Sequence, residues 1–461
     1  MSTIETSLTA VSAIDGRYSS YTSVLSEYFS EVALMKKRVF VEIEYLIKLI
    51  LNLQSINNNL NDFINEYCIQ FLRDIYDDFS IEDALLIKEI EKETNHDVKA
   101  IEYFIKKKCM LCKNQDMTNL VPFIHFGLTS NDINSLSYAI LLKDCIHDLY
   151  IPFICNIIRK INKLGEPYEN LSFPTYTHGQ LATPSTFYKE LLVFVDRLDI
   201  EYHYLLKYEF YAKFGGANGN SNVHKFVYRD IDWVNFFTDF LMEHDIKKQE
   251  YTTQIEHYDN IAKLFDHLKR INTILIDFCQ DIWLYISKDL IQQNVVETEV
   301  GSSTMPHKVN PILFENAEGN LKLANCLLEF MSSKLPVSRM QRDLTDSTVI
   351  RNYGSVFGYI IIAFNNILKG ISKIKPNINK IEQELNNYIV LAEPLQCYLK
   401  SINIQNAYEL VKEYSRGKYY ISKQDYYNFI YSLNKQLPDK LTGDDLKTLL
   451  DLQPSCYIGY H

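Results

Sequence analysis

Two long stripes of apolar residues constrain the fold of this chain most. Ile261, Phe265, Leu268, Leu275, Phe278, Ile282 and Ile286 recur at helical intervals after Ile255, which predicts a helix of about eight turns. Further on, Phe314, Ala317, Leu321, Ala324 and Leu328 repeat in steps of three and four, and Glu318 and Lys322 form an i,i+4 pair on the outer face. Helices this long bury their stripes against one another, so a bundle is expected, with faces large enough to be shared between chains. Gly and Pro number only 15 and 12 among 461 residues, while 47% are hydrophobic. That balance favours long helices over loop-rich β structure. A chain of this length exceeds one ordinary core, and two or three mostly α domains are expected.

Charge and cysteine usage narrow the function. The formal net charge of -11 disfavours nucleic acid and anionic membrane as partners, because both need a basic surface. Residues 1–18 carry neither a basic n-region nor an apolar h-region, and apolar runs such as residues 359–364 are far shorter than a membrane span. A cytoplasmic chain is the expectation. The nine cysteines lack paired spacing, and Cys109-Met110-Leu111-Cys112 has neither a second pair nor a βαβ context. Free thiols are expected, with no disulfide, metal or cofactor.

Between the two stripes lies Gly301-Ser302-Ser303-Thr304-Met305-Pro306-His307-Lys308-Val309-Asn310-Pro311. Glycine and proline breakers mark it as a loop. Its hydroxyls, backbone N–H groups, ammonium and carboxamide suit a carboxylate whose charge grows during a reaction, though the same composition makes a solvated connector. Other polar clusters interrupt the helical pattern. Asp15-Gly16-Arg17-Tyr18 reads as a turn, and Thr94-Asn95-His96-Asp97 breaks a helix spanning residues 81–108. Thr129-Ser130 caps the next helix with Asp132 in its first turn, and such a cap also aims free amides at an anion. Thr177-His178-Gly179-Gln180 puts an imidazole on exposed backbone, suited to proton transfer or simply to a turn. Residues 214–220 are Gly-rich, but the preceding strand and the lysine of a P-loop are lacking. Arg339, Arg342 and Arg351 stand among Ser and Thr. They could clamp a phosphate or carboxylate, or pair with surface acids. Beyond Pro376 shorter helical patterns suggest a smaller final domain.

The loop resembles, without a mismatch, the Gly-Ser-Ser-x-Met-Pro-x-Lys-x-Asn-Pro signature of the fumarase/aspartase superfamily, whose members eliminate fumarate from a succinyl group. The other motifs are similar to one branch of it, the adenylosuccinate lyase family. They are the Asp-Gly-Arg-Tyr turn, Asn95-His96-Asp97, Thr129-Ser130, Thr-His-Gly-Gln, and above all Leu335-Pro336-Val337-Ser338-Arg339 with Gln341-Arg342-Asp343-Leu344-Thr345-Asp346-Ser347-Thr348. The similarity runs from Ser12 to at least Gly417. It implies an all-α, three-domain fold with boundaries at residues 1–120, 121–365 and 366–461. The central domain would give five long helices to a twenty-helix core in a homotetramer, each active site being built from three subunits.

The resemblance also implies the chemistry: β-elimination of fumarate from adenylosuccinate to give AMP in purine nucleotide biosynthesis, and possible action on the imidazole-carboxamide counterpart, SAICAR. It makes Ser302 the general base, its hydroxyl acidified by the loop amides and Lys308. His178 is then the general acid and Glu315 the carboxylate that orients it. Ser303, Lys308, Val309 and Asn310 would hold the substrate carboxylates, with Thr129 and Ser130 facing them. Arg17, Tyr18, Arg342, Ser347, Thr348 and Arg351 resemble the nucleotide and phosphate contacts. Asn95, His96, Asp97, Gln254 and Asn316 line the rest. Residues 301–310 are expected to be better ordered with ligand than without. The chain departs from the family where Tyr176 and Leu181 replace the usual Arg and Pro around Thr-His-Gly-Gln, and across residues 215–222. Argininosuccinate lyase or fumarase would need no phosphate clamp. A non-enzymatic scaffold would need none of Ser302, His178 and Lys308.

Overall fold

A computed structural model describes residues 3–56, 64–112, 114–294, 305, 307–438 and 440–460. The chain divides into two compact units, one formed by residues 1–154, 201–273 and 319–363, the other by residues 155–200, 274–318 and 364–461. The expected stripes are its core. Ile261, Phe265, Leu268, Leu275, Phe278 and Ile282 are all buried on the Asp259–Ser287 helix, and Phe314, Ala317, Leu321, Ala324 and Leu328 on the Ile312–Lys334 helix. Ile286 is only half-buried. The first of these helices starts at Asp259 instead of near Ile255, because Tyr258 takes a left-handed φ of 59° that a helix cannot include.

In the first unit the Glu31–Ile56 helix buries Val39, Ile43, Leu46 and Ile50. Ile81–Thr94 and Asp97–Leu111 meet at a sharp corner. Asn95 ends the one helix with a left-handed φ of 50°, which an Asx residue tolerates, and His96 caps the next with its ring. The Ser130–Asp144 helix is buried nearly all round, yet it carries Asn131, Asp132, Asn134, Ser135 and Ser137 among its buried residues. Buried polar groups persist where they find partners, so this first turn draws other segments to it. Tyr211–Ala212 pairs in parallel with Lys247–Lys248 beside it.

The second unit holds two nested antiparallel pairings, Ser172–Phe173 with Ser185–Thr186 and Tyr176–Thr177 with Gln180–Leu181. Ile291–Gln293 pairs with Ile374–Pro376. Past that strand, five short helices from Ile378 to Asp451 enclose a cluster that includes Leu391, Leu395, Leu399, Tyr426, Ile430 and Leu433.

All nine cysteines are free. One stretch, Thr345–Ile371, is long and apolar enough to cross a membrane by length and composition. Short apolar runs concealed this, because the apolar residues are spread along the whole stretch, and most of it is buried inside the protein, as befits a core helix.

Candidate active site

In the first unit one buried carboxylate ties the Thr129-Ser130 cap to the Gly215-Gly216 turn. Asp132 lies fully buried in the first turn of the Ser130–Asp144 helix. Its Oδ2 accepts the N–H groups of Thr129 at 2.8 Å and Gly216 at 3.1 Å, and its Oδ1 accepts the Gly215 N–H at 2.9 Å and the Lys213 ammonium at 2.7 Å. Lys213 is equally buried, its own amide donating to Ser135 Oγ at 2.9 Å. One side chain thus fixes both the Thr129-Ser130 cap and the Gly215-Gly216 turn, where Gly216 adopts a φ of +76°. Burial lowers the Lys213 pKa, against the opposing pull of Asp132. Below this pair His224 is buried beside Tyr45, whose hydroxyl lies 3.1 Å from Nε2 and donates to the Phe126 carbonyl at 2.8 Å. Burial drives the imidazole down to about 4, so it stays neutral.

Around this anchor the sequence-distant motifs meet. His96 Nδ1 accepts the Lys99 amide at 3.1 Å, which leaves the neutral ring its proton on Nε2, and that nitrogen faces Ser130 Oγ at 3.4 Å. Asp97 Oδ2 accepts from Arg38 and from Arg351, each at 2.9 Å. Burial would raise the Asp97 carboxyl, but the two arginines and the Val98 amide outweigh it and hold it below its ordinary value. Arg38 also donates to Asn134 Oδ1 at 2.8 Å, so the Glu31–Ile56 helix braces this corner. Arg342 lies 3.4 Å from Gln254 Oε1. Nearby Tyr258 donates to Asp346 at 2.9 Å. Glu256, buried and hydrogen-bonded by Gln249 at 3.1 Å, has its carboxyl raised by burial to about 8. Ser347 and Thr348 follow Asp346 in the Thr345–Ile350 helix, half-buried and exposed respectively. Arg17 is exposed, and Tyr18 is held in the turn by its N–H to the Ala13 carbonyl at 2.9 Å. Gly16 is required there because a Cβ would stand 2.9 Å from the Ser7 carbonyl.

The second unit contributes a different set. His178 and Gly179, with φ of 52° and 73°, form the two-residue tip between Tyr176–Thr177 and Gln180–Leu181. This is the positive-φ geometry that matches strand twist in a hairpin. It leaves the imidazole exposed at the tip. Tyr176, where the family usually has Arg, lies under the Lys288 ammonium at 4.1 Å from the ring centroid. Glu315, in the first turn of Ile312–Lys334, accepts the Trp283 indole N–H at 3.0 Å. Asn316 accepts from Asn366 at 2.9 Å. The Val309 carbonyl accepts from Gln293 at 2.9 Å, and Lys308 and Asn310 flank it, exposed and half-buried. Ser302 and Ser303 lie outside the described residues, as does half of the 301–310 segment on which the ordering expectation falls.

Sequence reading missed Arg38, Lys213 and Trp283, and took Asp132 only as a helix-cap residue. The one available signal was Lys213 itself, a single cation in the run Phe210-Tyr211-Ala212-Lys213-Phe214. Among the described residues no group of three or more His, Cys, Asp or Glu could hold a metal ion.

Comparison with known proteins bears on this geometry. Residues 16–326 match the Lyase family, and residues 338–458 match the adenylosuccinate lyase C-terminal family. An adenylosuccinate lyase of Dictyostelium discoideum is 47% identical over 460 residues, covering 98% of this chain and 97% of that protein. One from Escherichia coli strain K12 is 44% identical over 454 residues, with the same coverage. Among solved structures, the 3-carboxy-cis,cis-muconate lactonizing enzyme of Pseudomonas putida superposes with a TM-score of 0.73 over 96% of this chain and 95% of its own, at 16% identity. That last likeness speaks for the fold.

Proposed function

The chain belongs to the adenylosuccinate lyase family, and from that premise we propose that it eliminates fumarate from adenylosuccinate to leave AMP, a carbon–nitrogen lyase step of purine nucleotide biosynthesis. The observation that carries this reading is the convergence in the first unit. Asp97–Arg351 draws the arginine run to the corner where His96 meets Ser130, and Arg342 of the same run reaches Gln254. A substrate with one phosphate and two carboxylates needs such cationic and hydroxyl donors, in a protein whose net charge is otherwise -11. Argininosuccinate and malate carry no phosphate, so the arginine run favours the nucleotide.

The reaction needs a base for the proton next to a carboxylate, stabilisation of the charge that develops there, and an acid for the departing purine nitrogen. Ser302 takes the first role in this reading, acidified by the loop amides and Lys308. Lys308, Asn310 and Ser303, with Thr129 and Ser130, hold the carboxylates, and Val309 lines them. His178 protonates the leaving nitrogen, which an exposed hairpin tip suits. Glu315 orients it, steadied by Trp283. Arg17, Tyr18, Ser347 and Thr348 complete the nucleotide contacts, and Asn95 and Asn316 the walls. The imidazole-carboxamide substrate SAICAR, which presents the same succinylamino and ribose phosphate groups, fits the same reading.

Residues 1–120, 121–365 and 366–461 serve as three domains, and the working form is a cytoplasmic homotetramer whose sites draw on three subunits. Exposed apolar residues support the assembly. Val193 and Ile200 on one long helix, and Leu323 and Phe330 on another, are spaced by seven and between 40% and 62% exposed. Each helix therefore carries a second apolar seam besides its buried one.

Ultraviolet absorbance tests the function. Pure protein should convert adenylosuccinate to AMP and fumarate while leaving argininosuccinate and malate unchanged. Turnover of another succinyl compound in its place would keep the superfamily and discard this member. Near-normal turnover by Ser302→Ala would move the base elsewhere.

A further inference from the structure

Asp132 is determined by its donors. Three backbone N–H groups, from Thr129, Gly215 and Gly216, converge on its two oxygens. Only an acceptor-only group satisfies them, since an Asn would turn its own NH₂ toward an amide. The helix cap and the glycine turn thus require a carboxylate in the first turn of the Ser130–Asp144 helix. That carboxylate is itself an anion at a helix N-terminus, and it would repel a second one brought to Thr129 and Ser130. The fully buried Lys213 ammonium at 2.7 Å from Oδ1 is the group that cancels it.

We infer that Lys213 is a positioning residue for the reaction: by neutralising Asp132 it leaves the Thr129-Ser130 helix terminus free to take a substrate carboxylate. The inference rests on the reading of Thr129 and Ser130 as carboxylate contacts. A purely structural pair would look the same in a static view, because Lys213 also donates to the Gly216 carbonyl and so ties down the glycine turn. The two roles differ in what they do to different ligands. Loss of neutralisation weakens only the ligand that brings a carboxylate to Ser130. Loss of architecture weakens the nucleotide as well, since Arg342 is near enough for its charge to lower the Lys213 pKa.

The test is product inhibition of the full-length enzyme by fumarate and, separately, by AMP. Lys213→Gln keeps a donor toward Asp132 but removes the charge. It is expected to raise the fumarate inhibition constant by about tenfold and to leave that for AMP within about twofold. Lys213→Arg, which keeps the charge, should restore most of the fumarate affinity. Equal weakening of both products in Lys213→Gln, or weakening of neither, overturns the inference. Should that variant fail to fold, Lys213→Arg carries the test alone, and normal AMP inhibition with fumarate inhibition lost would overturn it. A wild-type protein inert toward adenylosuccinate would instead sink the function itself.

Discussion

At the scale of the residue, the site depends on side chains whose partners lie far off in sequence. Asp97 is held by Arg38 and Arg351, 59 and 254 positions away, and Asp132 by Lys213, 81 away. Local spacing carries no trace of such pairings, so Arg38 could not be read from the chain, and Lys213 showed only as a lone cation in the run Phe210-Tyr211-Ala212-Lys213-Phe214. The exposed turn at His178 could be read, because a His followed by Gly marks exposed turn backbone, and it stands at the tip of a hairpin. Its exposure separates chemistry from stability. His178→Gln is expected to lower kcat by about 10²–10⁴-fold, with no change in the thermal unfolding curve followed by circular dichroism. A fall in melting temperature that matched the loss of rate would make the residue structural instead.

At the scale of the element, helix periodicity was the legible part. The two stripes, the corner at residues 95–97 and the cap at Thr129 all stand where spacing and capping chemistry put them, because both are local properties. The braces between elements are not local. His125, at a left-handed φ of 59°, sits with Nδ1 2.6 Å from Glu42 Oε1 on the Glu31–Ile56 helix and Nε2 3.8 Å from Glu102 on Asp97–Leu111. Burial alone would lower its pKa, but the two carboxylates outweigh burial and push it from 6.5 up to about 9. The folded state therefore binds this proton more tightly than the unfolded chain does. The stability it supplies is complete below 6.5 and is lost as pH rises through about 9. Glu256, raised from 4.5 to about 8 by burial, loses its share in an earlier window, between those two values. The melting temperature is thus expected to fall between about pH 6.5 and pH 9, and His125→Gln to flatten the part of that fall above about pH 8, where Glu256 no longer contributes. An unchanged slope in the variant would assign the loss to other groups.

At the scale of the whole molecule, what the chain leaves uncovered matters as much as what it buries. Leu323 and Phe330 are each 51% exposed on a helix whose opposite face is core. An apolar seam of this kind is stable in water only when another surface covers it. On the proposed homotetramer, with sites that draw on several subunits, Phe330→Glu is expected to shift the protein toward smaller species in sedimentation velocity and to cost activity in parallel. A variant that stayed tetrameric would place the interface elsewhere. The sequence announced long helices through composition and period, but which seam faces inward and which outward emerged only with the fold.

In the proposed function the arginine run makes this helical bundle an enzyme for a nucleotide. This role is tested most directly by comparing turnover of adenylosuccinate with that of succinyladenosine, the same molecule without its phosphate. On the proposed clamping of the phosphate by Arg342 and Arg351, kcat/KM for the nucleoside is expected to be lower by about 100-fold or more. Equal turnover of the two would leave the arginines with no phosphate to hold and would rule out the clamp.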